Sequence, residues 1–393
     1  MHEHMDRRVS HQIRNFQRVL EAYTYTEPLG RFLTKFFKEN KQMGSSDRRM
    51  TSRVCYNFFR LGNALPALSP EDRLVVAEFL CESESALVGY FKPLWLEHIE
   101  APLAQKIEFL HAQGLAVLDD VFPLLDEASE KIDKAAFVKS QFVQPDLFIR
   151  VKRAAIAAVK STLAAADLNF QQEGDTALRL GNGTKLQQVS GLSGLYEVQD
   201  LSSQKTADYI DVKAKSSWWD CCAASGGKAL MLLDKEPAVD LLVSDIRLSI
   251  LRNLDERFAV AQVKQNYRKK VLDLTRDIDD LMDGARFDGI LVDAPCSGSG
   301  TWGRTPEMSQ QFNLAKLTDF VSLQQEIVSR VIPFLKPQGS LVYITCSIYK
   351  QENEDMVQYL TENFNLELEE STLLEGYTQQ ADSMFVARLR KKD

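Results

Sequence analysis

An α/β fold organised around a doubly wound, mostly parallel sheet is what this sequence predicts, with a small α+β domain and an all-helical region ahead of it. Three observations predict it. From about residue 200 onward, apolar strand-like runs alternate with helical stretches, the pattern of a parallel sheet covered on both faces. Before that, Gln144-Pro145-Asp146 marks a break at which the hydrophobic period changes. Glycines and acids also fall just past the strand-like runs, at the carboxyl edge where such sheets place ligands. The expected domains are 1–140, 145–198 and 199–393, and a chain of 393 residues is long enough to give each its own core.

In the first domain Ile13, Phe16, Val19, Leu20 and Tyr23 recur at helical spacing. Ser45-Ser46-Asp47 precede Met50, Val54, Phe58 and Phe59 and are expected to cap a second helix. Pro70-Glu71-Asp72 open a third, with acids where the helix dipole favours them. Past the break, Leu147–Val151 reads as a strand, Ala154–Ala166 as a helix and Ala177–Leu180 as a strand, the start of the small α+β domain. In the last domain strands are expected at Ser217–Asp220, Asp240–Ser244, Gly289–Val292 and Ser340–Ile344, with another before Asp273. Helices are expected to begin near Gln204, Gly227, Leu248 and Leu317.

Composition excludes several classes. A chain that is 45% hydrophobic and 26% charged is that of an ordinary soluble globular protein. No apolar run reaches the roughly 18 residues of a membrane span, and the start, Met1 to Arg8, lacks the apolar centre of a signal peptide. Six scattered cysteines suit a reducing, cytoplasmic compartment, and neither they nor the five histidines have zinc spacing, so no metal is expected. The net charge of −8 argues against indiscriminate coating of nucleic acid. Residues 1–60, however, carry 12 Lys/Arg against 6 Asp/Glu, including Arg7, Arg8, Arg14, Arg18, Lys35, Lys38, Lys41, Arg48, Arg49 and Arg53. That excess is either a solvated helical face or a phosphate-tracking patch.

Three groups of residues carry chemistry. Asp220-Cys221-Cys222-Ala223-Ala224-Ser225-Gly226-Gly227-Lys228 lies between an apolar strand and a helix, and is neither a GxGxxG nor a Walker pattern. Asp245, Asp273 and Asp293 each follow a strand, which favours a nucleoside-bearing ligand such as S-adenosylmethionine, with NAD the alternative. Cys296 and Cys346 each lie just past an apolar run, Cys296 past the one that Asp293 ends, whereas Cys55, Cys81 and Cys221 read as buried small hydrophobes. Two thiols beside an aspartate suit addition to a pyrimidine ring, in which a thiolate attacks C6 and the activated C5 takes a methyl group.

In this order the residues resemble the Sun/Fmu-type (RsmB-like, NSUN-related) RNA cytosine-C5 methyltransferases. The family's first motif, D-x-C-A-A-P-G-G-K-T, is met by DCCAASGGKA at 220–229. Asp293-Ala294-Pro295-Cys296-Ser297-Gly298 and Thr345-Cys346-Ser347 are intact, and Glu352-Asn353-Glu354 follows. The segments Gly194–Gln204 and Arg304-Thr305-Pro306-Glu307 fit as well, so the likeness runs from about 145 to the end. It implies a Rossmann-like methyltransferase domain behind an RRM-like small domain. It also implies that Cys222, Ala223, Ala224, Ser225, Gly226, Gly227 and Lys228, with Asp245, Asp273 and Asp293, line an S-adenosylmethionine site. Cys346 would be the nucleophile and Cys296 would assist product release. Asp293 is also in place to hydrogen-bond the cytosine edge. Some relatives carry a NusB-like RNA-binding domain, which residues 1–140 resemble around Ser46–Met50 and Val54–Arg60.

The chain departs from the pattern at Ser225, where the family has proline, and at Ala229, where it has threonine; Lys152 replaces a frequent asparagine. The expected substrate is RNA, most naturally ribosomal RNA, at a single-stranded or flipped cytosine. Two alternatives stand beside this. DNA cytosine methylation would make Cys296 the nucleophile, and a non-catalytic ribosome-assembly factor would need neither thiol.

Overall fold

The computed structural model describes residues 2–264 and 267–393, with side chains from residue 7 onward; Met1 and the side chains of residues 2–6, part of the charged N-terminal stretch, lie outside the described residues. The chain divides into two compact units, 1–126 with 133–144 and 301–314, and 127–132 with 145–300 and 315–393.

The first unit is helical: α1 (His2–Ala22), α2 (Leu29–Glu39), α3 (Ser45–Arg60), α4 (Pro70–Cys81), α5 (Ala86–Phe91), α6 (Leu103–Ala112) and α7 (Lys134–Ser140). Its core joins Phe16 and Val19 of α1, Leu33 and Phe36 of α2, and Val54, Cys55, Phe58 and Phe59 of α3. The rings of Phe16 and Phe58 meet edge to face at 5.0 Å. Ser69 caps α4 by accepting the Asp72 N–H at 3.1 Å, with Pro70 at the first helical position. The expected cap of α3 is corrected: Ser45 already lies in the helix and Gly44 is the N-cap. Asp47 accepts the Gly44 N–H at 3.3 Å, because the third helical position is the one from which a carboxylate reaches back. Arg7, Arg8, Arg14, Lys38, Lys41 and Arg49 are exposed. Arg53 instead pairs with buried Glu78 at 2.9 Å, and Lys35 pairs with Glu27 at 2.8 Å.

The segment 301–314 belongs to this helical unit although it follows the sequence of the second. Trp302 packs on Phe122 with centroids 5.0 Å apart. The Glu307 carboxylate is buried and accepts the Leu29 N–H at 2.9 Å. Pro28 offers α2 no side-chain cap, so Glu307 supplies one from a distant part of the chain.

The second unit holds two sheets. The smaller contains β1 (Leu147–Val151), β2 (Phe170–Gln172), β3 (Ala177–Leu180) and β4 (Tyr196–Val198), in the antiparallel order β2-β3-β1-β4. Helix α8 (Ile156–Ala165) buries Val159 and Leu163 against Ile149, Leu178 and Leu180. β2 and β4 are three residues each, too short for a sequence period to reveal.

The larger sheet contains β5 (Ser217–Asp220), β6 (Asp240–Asp245), β7 (Tyr267–Val271), β8 (Phe287–Asp293), β9 (Leu335–Thr345), β10 (Leu366–Leu374) and β11 (Met384–Lys391). Its order is β10-β11-β9-β8-β5-β6-β7, with β7 through β9 parallel and the last two strands antiparallel. Helices α9 (Leu201–Lys205), α10 (Gly227–Lys235), α11 (Leu248–Val260), α12 (Leu314–Val331) and α13 (Glu354–Asn363) accompany it. Strand order reverses between β5 and β8, so the crevice for a ligand opens at their carboxyl ends. The doubly wound sheet is as expected. The helix expected near Gln204 is corrected to a five-residue turn that begins at Leu201, because Asp200 caps it by accepting the Ser202 N–H at 2.8 Å.

Replacing Glu307 with alanine leaves the Leu29 N–H buried without an acceptor. We expect a loss of about 1–3 kcal/mol in chemical denaturation, and near wild-type stability for Glu307→Gln, which retains the acceptor. Equal stability of the alanine variant and the wild type would refute the capping role.

Candidate active site

Each functional side chain is delivered by the end of a strand. Asp220 ends β5, Asp245 ends β6, Asp293 ends β8 and Cys346 follows β9. Parallel pairing of β8 with β9 sets Asp293 opposite Ile344, and the Ala294 N–H donates to the Ile344 carbonyl at 2.9 Å. The loops that leave these two strands therefore run side by side. Cys296 and Cys346, fifty positions apart in sequence, have their sulfurs 3.3 Å apart. The Cys346 N–H also points at the Cys296 sulfur, at 3.3 Å. The hydrogen bond to Cys346 and burial push the Cys296 thiol well above its ordinary pKa. Gly300 closes this loop: its N–H donates to the Cys346 carbonyl at 2.9 Å, and a Cβ there would fall 2.0 Å from the Ser383 carbonyl oxygen.

The turn after β5 is tightly determined. The Ala223 N–H donates to the Ser244 carbonyl at 2.9 Å, and the Gly226 N–H to the Ala223 carbonyl at 2.8 Å. Ala224 and Gly226 both take positive φ, +46° and +83°. A Cβ on Gly226 would also approach Phe258 to 2.7 Å. Lys228, in the first turn of α10, is buried and donates to Ser203 at 2.9 Å and to Asp293 at 3.1 Å. Sequence reasoning did not assign Ser203 to the site; its place in α9 beside the Gly-Gly turn follows from tertiary packing.

Asp220 was quoted as the start of the motif but given no role, and it is the most perturbed acid here. It is wholly buried, and neither of its oxygens has a hydrogen-bond partner. Burial first, then the nearby Asp293 carboxylate, push its pKa up to about 8 against the pull of Lys228. The other acids differ. Asp245 is engaged on both oxygens: it accepts the Ala224 N–H at 3.1 Å, the Arg247 N–H at 2.9 Å, and the Arg247 guanidinium at 3.0 and 3.1 Å. Asp273 accepts the Thr275 N–H and hydroxyl at 3.1 and 2.7 Å, and these bonds hold its pKa below the ordinary value. Its carboxylate thus makes a local turn. Of the cysteines read as buried hydrophobes, Cys55 and Cys221 are buried, while Cys81 is partly exposed at the end of α4.

Glu352, part of the Glu352-Asn353-Glu354 segment but without a role in the sequence reading, is a second such feature. The Glu352 carboxylate, wholly buried, receives hydrogen bonds from Ser297 and Ser347, the residues that follow the two cysteines. The signal available in sequence was a serine immediately after each cysteine with an acid close behind, but nothing there marked the acid as buried. Among the described residues no group of His, Cys, Asp or Glu is arranged to hold a metal ion, and no helix is long and apolar enough to cross a membrane.

Comparison with known proteins places this architecture. A family model described as 16S rRNA methyltransferase RsmB/F matches residues 207–390. Ribosomal RNA small subunit methyltransferase B of Xanthomonas campestris pv. campestris is 30% identical over 233 residues, covering 57% of this chain and 52% of that protein. The chain thus spans about half the length of this curated relative. Among solved structures, PH0851 superposes with a TM-score of 0.72 at 19% identity, covering 97% of this chain and 98% of its own. NSun6 from Pyrococcus horikoshii, solved with SFG, gives 0.59 at 17% identity over 68% and 97%. At these identities the structural likeness speaks for the fold.

The buried proton on Asp220 has a measurable consequence. Between the ordinary aspartate value of 3.8 and about 8, the folded chain holds a proton that the unfolded chain has released. Stability therefore falls as pH rises through that window, by up to about 1.4 kcal/mol per pH unit. Asp220→Asn, which cannot ionise, is expected to flatten the decline and to gain stability over wild type at pH 8. Parallel wild-type and variant curves in urea unfolding at pH 5 and pH 8 would exclude it.

Proposed function

We propose that this chain, whose residues 207–390 match a family model described as 16S rRNA methyltransferase RsmB/F, methylates C5 of a cytosine in RNA, and in ribosomal RNA in particular, with S-adenosylmethionine as donor. The observation that carries the reading is the pair of thiols 3.3 Å apart, at the same strand ends as the Lys228–Asp293 pair. The similar small subunit methyltransferase B proteins act, by name, on ribosomal RNA.

The residues present fit the donor. Asp220 offers two buried oxygens without partners, able to meet polar groups of an amino-acid moiety. Packing requires a glycine at 226, since a side chain there would collide with Leu254 and Phe258, and the turn from Cys222 to Gly227 would present its backbone to the donor. Asp245 stands at the end of the adjacent strand, where ribose hydroxyls are bound in such folds. Its guanidinium partner, Arg247, is 60% exposed and can move aside. Asp273 and Asp293 would complete the lining. When bound, S-adenosylmethionine supplies an electrophilic methyl group.

The chain does the rest. Cys346 attacks C6 of the cytosine as a thiolate, and the electrons of the C5–C6 double bond make C5 nucleophilic. Asp293, held by Lys228, lies at the base edge, where a hydrogen bond stabilises the charge that develops on the ring. After methyl transfer, solvent takes the C5 proton, the electrons of the C5–H bond restore the ring double bond, and the C6–S bond breaks with its electrons returning to Cys346 as thiolate. Cys296, 3.3 Å from Cys346, assists that release. A thiol must approach the ring face, so the cytosine is single-stranded or flipped out. The exposed basic side chains of α1 to α3 would hold flanking phosphates in a NusB-like manner, and the four-stranded sheet would orient the strand as an RRM-like domain. A ribosomal RNA substrate would be met in the cytoplasm, the compartment this reading implies.

The departures at Ser225 and Ala229 are absorbed. Ser225 accepts a hydrogen bond from Arg257 at 3.2 Å, and Ala229 is buried in the apolar core of this unit. Neither favours a non-catalytic scaffold.

The test is methyl transfer from labelled donor to unmodified small-subunit ribosomal RNA, with nucleosides identified by mass. Wild type is expected to form 5-methylcytidine and Cys346→Ala none, while Cys296→Ala accumulates a covalent protein–RNA adduct. An adduct that persists in Cys346→Ala would transfer the nucleophile's role to Cys296 and overturn the assignment.

A further inference from the structure

We propose that Glu352 is the positioning residue of the thiol pair: its buried carboxylate fixes the loop of Cys296 to the loop of Cys346 and so sets the approach of the two sulfurs. The inference rests on the reading of those thiols as the reacting pair. Its basis is a set of contacts converging on one side chain. One carboxylate oxygen, Oε1, accepts the Ser297 N–H at 2.8 Å and the Gln324 amide at 2.9 Å. The other, Oε2, accepts the Ser297 hydroxyl at 2.6 Å and the Ser347 hydroxyl. Thus the residue after each cysteine is bonded to the same acid.

The clamp extends one position further on both loops. Gln324 of α12 also donates to the carbonyl of Pro295 at 3.1 Å, so Cys296 is flanked on both sides by held residues. Ser299 lies 3.2 Å from the Ser347 hydroxyl, and its own oxygen accepts the Ile348 N–H at 2.9 Å. Tyr343 of β9 donates to the backbone carbonyl of Glu352 at 2.9 Å. Next in sequence, Asn353 accepts the Thr345 hydroxyl at 2.5 Å and donates to the Ser347 carbonyl at 2.9 Å.

The chemistry of the donor set explains why the residue is an acid. All four contacts on the side chain are donors, and a carboxylate is the group of this size with acceptors alone. Glutamine would turn an N–H₂ either toward Ser297 N–H and Gln324 or toward the two hydroxyls, so some donors would lose their acceptor. Among the described residues no Lys or Arg ion pair accompanies it. Holding two loops for stability alone is more cheaply done by apolar packing than by a buried charge without a cation. The charge has a second effect: it adds to the hydrogen bond and burial that raise the Cys296 thiol. One group therefore sets the distance between the sulfurs and favours the proton on Cys296.

The experiment reads the thiols directly, without requiring methyl transfer. Full-length wild type, Glu352→Gln and Glu352→Asp are alkylated with iodoacetamide across about pH 6 to 10, and peptide mass spectrometry assigns the label to Cys296 or Cys346. Methyl transfer and donor affinity are measured in parallel. We expect Glu352→Gln to move the Cys296 alkylation profile to lower pH, and turnover to fall by about 100-fold, as a misplacement near 1 Å does, with donor affinity unchanged. A shift of the thiol profile with no methylation by wild type on any RNA would uphold the clamp and reject the proposed function. Normal methylation with an unmoved profile in a folded variant would reject the clamp and leave the function standing. Should the Glu352 variants fail to fold, Ser347→Ala removes one donor only. The carboxylate's charge remains, but the Cys346 loop is loosened and the sulfur contact that raises Cys296 weakens, so a smaller shift in the same direction is expected, and its absence overturns the proposal.

Discussion

Parallel pairing of β5 with β8 is the constraint on which the rest of the second unit depends. It is where the strand order turns back, and the register that sets Trp218 opposite Gly289 is enforced by volume. A Cβ on Gly289 would fall 2.3 Å from the Trp218 ring, so this indole is buried only because its neighbour has no side chain. With that register fixed, Asp220 stands opposite Leu291, and Asp293 projects two residues further on. Both acids therefore face one crevice, with the Gly-Gly turn on one side and the Cys296 loop on the other. A one-residue slip would turn each strand's outward set inward and scatter these groups over two faces.

Electrostatics then divide the labour among groups that sequence alone treats as equivalent. Three aspartates end neighbouring strands, yet each has a different environment. Asp220 has no partner and little access to water, and takes the neutral form. Asp245 is saturated by an arginine side chain and two backbone amides. Asp293 pairs with Lys228 at 3.1 Å while remaining partly exposed. The lysine could compensate either of two acids, and its position 3.1 Å from Asp293 leaves Asp220 as the one that holds a proton. Acids of one chemical type thus become a hydrogen-bond donor, a structural acceptor and a charged contact, through burial and partners.

Much of this was legible in the sequence where a strong local period coincided with a clean boundary. Leu147–Val151, Ala177–Leu180 and Ser217–Asp220 are strands over the residues expected, because apolar runs there end at turn or acid residues. The thiol pair was legible because each cysteine follows such a run. What could not be read had no local signature. β10 (Leu366–Leu374) exposes four of its nine residues and carries three glutamates, so it is placed by pairing with β11 and not by its own hydrophobicity. The membership of 301–314 in the helical unit depends on Trp302 and Glu307 finding partners more than 150 residues away. Glu352 is harder still. A glutamate near a Thr-Cys-Ser motif has every reason to be solvated, and only the convergence of two serine loops with Gln324 of α12 supplies the four donors that make its burial tolerable.

The departures from the family pattern show how such a site tolerates change. Proline before the Gly-Gly pair would fix φ through its ring, and serine gives up that restraint. Here Arg257 of α11 supplies another. It donates to the Ser225 hydroxyl at 3.2 Å, while its Nε is committed to Glu197 of β4 at 2.7 Å. Ala224, next to it, sits at φ +46°, a conformation unfavourable for a residue with a Cβ. Its N–H is nevertheless held by Asp245 at 3.1 Å, and the following Gly226 takes the left-handed position at no such penalty. A ring constraint lost at one residue is thereby replaced by polar contacts from β4, β6 and α11. The turn keeps its shape, and its geometry is now tied to the small sheet through Glu197.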